Sequence, residues 1–169
     1  PSPGRDSVRG QWHALEDARE AGLVHTIGVS NFSPKQLDFI LSDSRLRIPP
    51  ALNQLPYSLA FRQPYREIRL EHRRRGVALQ SWSPLGGPNQ LFSRGVLEEC
   101  ASIGRSFGGK SAYQVALRWV VQSGAAFTVH SSRADHLRDD LAVLSPGFQL
   151  TDGQMNRLDE IAESVTELV

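Results

Sequence analysis

His25-Thr26-Ile27-Gly28-Val29-Ser30-Asn31-Phe32-Ser33-Pro34-Lys35-Gln36 is the stretch that decides the fold. An apolar run through Val29 ends in polar residues, and a helix start follows at once. Ser33 is a capping residue, Pro34 fills the first helical position where its missing N–H is no loss, and Gln36 can reach back to close a capping box. A strand that feeds directly into a capped helix is one β/α unit, and the rest of the chain repeats it. Ala51-Leu52-Asn53-Gln54-Leu55 precedes a helix over about Pro64 to Arg74, closed by Gly76. Val77-Ala78-Leu79-Gln80-Ser81-Trp82 leads through Ser83-Pro84-Leu85-Gly86 to a helix over about Gly95 to Ser106. A second capping box, Ser111 with Gln114, starts another helix through Val120. Ala125-Ala126-Phe127-Thr128-Val129 precedes a helix over Ala134 to Val143, and a third box, Thr151 with Gln154, opens the last, Asp152 to Ser164. A helix from about Asp6 to Ala21, stopped by Gly22, stands before the first strand.

Strands that are apolar throughout, alternating with amphipathic helices, define an α/β protein with a parallel sheet covered by helices. About four β/α units amount to the second half of a TIM-type (β/α)8 barrel, whose whole takes roughly 250 residues. A small doubly wound sheet fits the same alternation. The 169 residues suit a single domain. Leu37, Ile40 and Leu41 form the expected buried stripe of the helix after Ser33. The basic run of Arg69 with His72-Arg73-Arg74-Arg75 reads as a solvated helix end complementing the helix dipole.

Composition narrows the function classes. A net charge of +1 gives no electrostatic case for nucleic acid or an anionic membrane. With 40% hydrophobic and 22% charged residues the chain reads as soluble and globular, expected in the cytoplasm or an organelle interior. No apolar run approaches the roughly 20 residues needed to span a bilayer. One cysteine, Cys100, excludes an internal disulfide, and its neighbours Glu98 and Glu99 disfavour a thiolate. The five histidines have no metal-binding spacing. Gly108-Gly109-Lys110-Ser111 lacks the upstream glycine of a phosphate loop. The chain opens on Pro1-Ser2-Pro3-Gly4 without a methionine, which reads as a processed chain or a piece of something longer.

In parallel β/α folds, ligands bind at the C-terminal ends of the strands. Those ends are Ser30-Asn31, Asn53-Gln54, Ser81-Trp82-Ser83 and His130-Ser131. Asn31 and Gln54 each offer a donor and an acceptor together, which matches a carboxamide. Trp82 offers a face on which a pyridine ring can stack.

Glu20-Ala21-Gly22-Leu23-Val24 through Phe32, with Asn53-Gln54 and Ser81-Trp82-Ser83-Pro84-Leu85-Gly86, resembles the fifth, sixth and seventh strands of the aldo-keto reductases. The resemblance runs from about Trp12 to Ile161. It implies that Ser30, Asn31 and Gln54 bind the nicotinamide carboxamide of NADP or NAD. It places Trp82 on the ring, where a Tyr is commoner, and Ser83, Leu85 and Gly86 along the pyrophosphate, largely through backbone N–H groups. At the next strand end many members carry a Lys, then an Arg and an Asn, around the adenosine 2′-phosphate and adenine. Here Ser131 is kept, but His130, His136 and Asp140 stand at those three positions, with Arg133 the nearby cation left to compensate. The resemblance thus implies a weakened preference for NADP over NAD, or a decayed cofactor site.

The family's catalytic Asp, Tyr, Lys and His belong to the barrel half that this chain does not contain. Tyr57, Tyr65 and Tyr113 match none of them, so no catalytic residue is assigned and the chain alone is expected to have no reductase activity. Three functional readings follow. The chain is the cofactor-binding half of an NAD(P)H-dependent carbonyl reductase, or a catalytically inactive reductase-derived subunit acting as a structural element in a larger assembly, or a half barrel completed by another chain. A half barrel leaves two strand edges and an apolar inner face open. A protein partner or the missing N-terminal half is expected to cover them.

Overall fold

Each strand of this chain pairs with the next one in sequence, and every pairing is parallel. The computed structural model describes residues 5–87 and 91–164; the opening Pro1-Ser2-Pro3-Gly4 lies outside them. The elements are α1 (Arg5–Glu20), β1 (Val29–Ser30), α2 (Pro34–Leu41), β2 (Leu52–Leu55), α3 (Tyr65–Arg75), β3 (Ala78–Ser81), α4 (Arg94–Ser106), α5 (Ala112–Gln122), β4 (Ala125–Phe127), α6 (Ala134–Leu141) and α7 (Asp152–Ser164), with a 3-10 turn at Ala142–Leu144. The sheet order is β1-β2-β3-β4. A doubly wound sheet reverses its strand order at a switch point, and this one does not. With crossovers of one hand the helices fall on one face, leaving the other bare, as in a barrel cut in half.

The three capping boxes form as the sequence requires. Ser33 Oγ accepts from the N–H of Gln36 while the Gln36 side chain accepts from the N–H of Ser33, and Pro34 opens α2. Ser111 with Gln114 and Thr151 with Gln154 repeat the arrangement. The strands are shorter than their apolar runs. Only Val29 and Ser30 of the first run join the ladder, opposite Asn53 and Gln54, with one further bond from Ala51 N–H to Ile27 O. His25 and Thr26, read as part of that strand, are exposed and unpaired. At the sheet edge β1 can use only the residues that β2 sets opposite. Gly28 is held close: a Cβ there would lie 2.9 Å from Leu52 O, so only glycine permits this approach of the two chains.

The core lies between sheet and helices. Tyr57 stacks on Trp119 with ring centroids 5.0 Å apart, and Tyr65 meets Trp119 edge-on at the same separation. Leu37 and Ile40 are buried as expected, whereas Leu41 is only half-buried because α2 ends there. Cys100 is buried, and burial, helped by the charge of Glu99, pushes its thiol up to about 12.

The basic end of α3 is not the solvated face expected. Arg69 donates to Asp159 of α7 at 2.5 Å and to Tyr57 Oη at 3.0 Å, and Trp119 Nε1 donates to the same carboxylate at 2.9 Å. His72 is buried, and Arg75 is paired with Asp38 and Glu71. Only Arg73 and Arg74 match the solvated reading. No local pattern announces these partners, since Asp159 is 90 residues from Arg69. The bare inner face also departs from expectation. It is mixed rather than apolar: Ala78 and Ala126 are exposed on it, and Gln54 Nε2 donates to Gln80 Oε1 at 2.7 Å.

Candidate functional site

Asn53 prepares the site without belonging to it. Fully buried behind the sheet, it donates from Nδ2 to Phe32 O at 2.7 Å and to His72 Nε2 at 3.1 Å, and its Oδ1 accepts from Phe32 N–H at 3.2 Å. The turn after β1 is thereby fastened to α3. Asn31, one residue earlier, is driven into the left-handed region at φ 59°, which Asn tolerates better than most side chains. Its N–H donates to Gln54 O at 2.8 Å.

That backbone turn aims the Asn31 side chain across the strand ends. Trp82 Nε1, 51 residues away, donates to Asn31 Oδ1 at 3.0 Å, while Asn31 Nδ2 donates to Ser30 Oγ at 3.2 Å. Ser30 Oγ donates in turn to Gln54 O at 3.2 Å. Trp82, read as the last residue of its strand, stands one position beyond β3, and its N–H donates to Leu55 O at 2.9 Å. Ser30, Asn31, Gln54 and Trp82 therefore form one connected group. Gln80 joins it through Gln54 and was missed in the sequence. The available signal was its register opposite Gln54, with Ser30 opposite Gln54 on the other side.

The donor set fits a carboxamide on a flat ring. Asn31 uses one N–H and one lone pair internally and keeps one of each, and the Gln54 carbonyl oxygen remains an open acceptor. The indole ring, half-buried and pinned by its own N–H, supplies a stacking face.

Beyond Trp82 the chain turns sharply. Ser83 also has positive φ, 51°, and Gly86 follows at 81°. The Gly86 N–H donates to Ser83 O at 3.0 Å, so this N–H, expected along a pyrophosphate, already closes a turn. A cleft of about 580 Å³ runs here, lined by Ser83, Leu85, Val129 and His130 among others. Leu85 also bounds a second cleft of about 360 Å³ formed with Ser111, Tyr113, Gln114, Ser131, His136, Asp139 and Asp140. The site residues thus lie in three consecutive stations, with Ser131 and His136 together in the last. Ser111, Tyr113 and Gln114 were not foreseen there, because the sequence explains Ser111 and Gln114 fully as a helix cap. Arg133 does not compensate for the missing cations: its guanidinium is paired with Asp135, and its N–H is held by Ser131 Oγ at 3.1 Å. Burial raises the Asp140 carboxyl above its usual range, with Asp139 adding to the effect and His136 opposing it. Among the described residues no cluster of His, Cys, Asp and Glu could hold a metal ion, and no helix is long and apolar enough to cross a membrane.

A parallel half barrel with polar groups gathered at its C-terminal strand ends defines the class, and comparison with known proteins places it. Residues 3–163 match the Aldo/keto reductase family, and the chain belongs to that family. It is 36% identical over 162 residues to deoxymugineic acid synthase 1 of Hordeum vulgare, covering 92% of this chain and 48% of that protein. It is 32% identical over 162 residues to an NAD(P)H-dependent 6'-deoxychalcone synthase of Glycine max, covering 93% of this chain and 48% of that protein. An aldo/keto reductase from Brucella melitensis superposes with a TM-score of 0.78 at 28% identity, over 95% of this chain and 57% of that one. The chain spans about half the length of the curated relatives it matches.

Proposed function

We propose that this chain supplies the nicotinamide-holding half of an NAD(P)H-dependent carbonyl reductase site, with the acid–base residues contributed from outside it. The carrying observation is the hydrogen bond from Trp82 Nε1 to Asn31 Oδ1, which fixes a ring and an amide side by side at the strand ends. When bound, the nicotinamide supplies a hydride to a carbonyl carbon. Asn31 and Gln54 orient its carboxamide, and so decide which face of the ring is presented. Trp82 covers the other face and keeps water from it. The tyrosines of this chain have other work. Tyr57 and Tyr65 are buried in the core with ionisation suppressed by burial, and Tyr113 lines the far cleft. The proton for the developing alkoxide therefore comes from the other half of a completed barrel, either an N-terminal segment or a protein partner. That same half covers the open strand edges.

A second reading, a reductase-derived subunit that has lost catalysis and acts as an interaction element, draws on His130, His136 and Asp140 at positions where the family more often has Lys, Arg and Asn. Nicotinamide fluorescence separates the two. Reduced dinucleotide added to the natural polypeptide that carries this chain is expected to change its emission on binding, and Trp82→Ala to weaken binding by about tenfold or more, through loss of a stacked ring. An unchanged signal in the native protein overturns the cofactor reading and favours the inactive subunit. An unchanged affinity in Trp82→Ala means that the dinucleotide sits elsewhere.

A further inference from the structure

His72 is buried on α3, where an apolar side chain would fill the same space with no polar group to desolvate. Both nitrogens of its ring are nonetheless employed. Nδ1 lies 2.8 Å from Ile68 O, which can only accept, so the ring proton sits on Nδ1. Nε2 therefore carries a lone pair, and it accepts from Asn53 Nδ2 at 3.1 Å. That bond completes Asn53, whose Nδ2 also donates to Phe32 O while its Oδ1 accepts from Phe32 N–H. The amide grips both polar groups of one backbone residue, and that residue directly follows Asn31. The helix behind it is staked on either side of His72: Arg69, one turn before, is bound to Asp159, and Arg75, one turn after, to Asp38 at 2.7 Å. The turn itself is not backed by packing on this side. A cleft of about 470 Å³ lies there, lined by Asn31, Phe32, Leu55, Ile68 and His72 among others.

We infer that His72 is a positioning residue for the nicotinamide site: through Asn53 it holds the turn that keeps Asn31 in reach of Trp82. The inference rests on the proposed reading of Asn31 and Trp82 as the nicotinamide-holding pair. Asn31 sits at φ 59°, a conformation that relaxes unless its neighbours forbid it. Without the imidazole, one N–H of Asn53 is left unpaired in a fully buried place, where an orphaned donor is costly. The amide then shifts toward another acceptor, its grip on Phe32 loosens, and the cleft gives the turn room to move. Asn31 Oδ1 leaves the indole N–H that now donates to it at 3.0 Å, and the groups that Asn31 keeps for a carboxamide lose their aim. A proton on Nε2 in place of the lone pair would set donor against donor and have the same effect. His72 acts at one remove, since its ring bonds go to Ile68 and Asn53 rather than to Asn31 or Trp82.

The test uses the natural polypeptide that carries this chain, titrated by fluorescence with NADH and with NADPH, the tighter of the two being followed through the variants. His72→Leu, which fills the space and removes the acceptor, should weaken binding about fivefold. His72→Gln, whose carbonyl oxygen can take the place of Nε2, should recover most of that loss. Because His72 works through Asn31, adding His72→Leu to Asn31→Ala should weaken binding no further, whereas a merely structural residue would add its own loss. Nitrogen NMR of the native protein should show the His72 ring protonated on Nδ1 and bare on Nε2. Native affinity in His72→Leu overturns the inference while leaving the nicotinamide site standing, and so does a loss that adds in full to that of Asn31→Ala. If His72→Leu does not fold, the ring and the conservative variant decide: a proton on Nε2, or His72→Gln binding fivefold or more weakly than the native protein, overturns the inference. Failure of the native protein to bind either dinucleotide overturns the proposed function and this inference with it.

Discussion

Asn31 and Ser83 are the non-glycine residues with positive φ among the described residues, and they flank Trp82 in the candidate site. A strained backbone persists only where its surroundings over-determine it, and at Asn31 they do so through Asn53 and the Asn31–Trp82 bond. Two substitutions separate strain from function. Asn31→Gly relieves the left-handed backbone but deletes the acceptor for the indole, so thermal stability should hold while dinucleotide affinity falls severalfold in a fluorescence titration. Asn31→Ala deletes the same acceptor and keeps the strain, so it should lose affinity and about 1 kcal/mol of stability as well. Elsewhere, Glu16 carries a charge that matters to folding. Burial alone would raise its carboxyl, but the N–H groups of Ile48 and Arg47, the His13 ring and the Arg47 charge overcome this and hold it at about 2. A carboxylate depressed in the folded state contributes stability that is complete above its unfolded value and is lost as pH falls toward the folded one. Denaturant midpoints should therefore fall between about pH 4.5 and 2, and Glu16→Gln should remove part of that slope.

Among the elements, α7 is held by charge as well as by packing. Asp159 receives Arg69 from α3 and the Trp119 indole from α5, so one side chain ties three helices together. Asp159→Ala leaves a largely buried guanidinium without its counter-ion, with only Tyr57 Oη still accepting from it, and an indole N–H without its acceptor, and should cost about 3 kcal/mol in equilibrium unfolding. An Arg69→Met, Asp159→Leu pair that keeps the volume apolar should recover most of that. The capped helix starts were legible in the sequence because a capping box spans four residues and needs no tertiary partner. The role of Arg69 was not, since charge clusters at helix ends read alike whether solvated or paired. Strand limits were also out of reach, as a ladder ends where the neighbouring strand ends.

At the scale of the molecule, no strand among the described residues pairs with the outer edge of β1 or of β4, and the described helices leave one face of the sheet uncovered. Ala126, opposite Gln80 in the register, is exposed on that face. Ala126→Glu should change the stability of the isolated chain by less than about 0.5 kcal/mol, as a surface substitution does. In the complete assembly the same charge would be enclosed by the covering half, and should lower its melting temperature or prevent its formation. Equal tolerance in both would mean that the face stays open. The intact mass of the natural polypeptide tells which cover applies: near twice 18.7 kDa for an N-terminal half, or near 18.7 kDa for a separate partner. Sequence alone determined the alternation of strands and helices, the helix starts and the polar strand ends, because each is written in contiguous residues. It also carried the family resemblance. Only the tertiary structure decided between a half barrel and a doubly wound sheet, joined Asn31 to Trp82, and turned Arg133 away from the far cleft. Those outcomes depend on which distant groups meet, and no local periodicity encodes that.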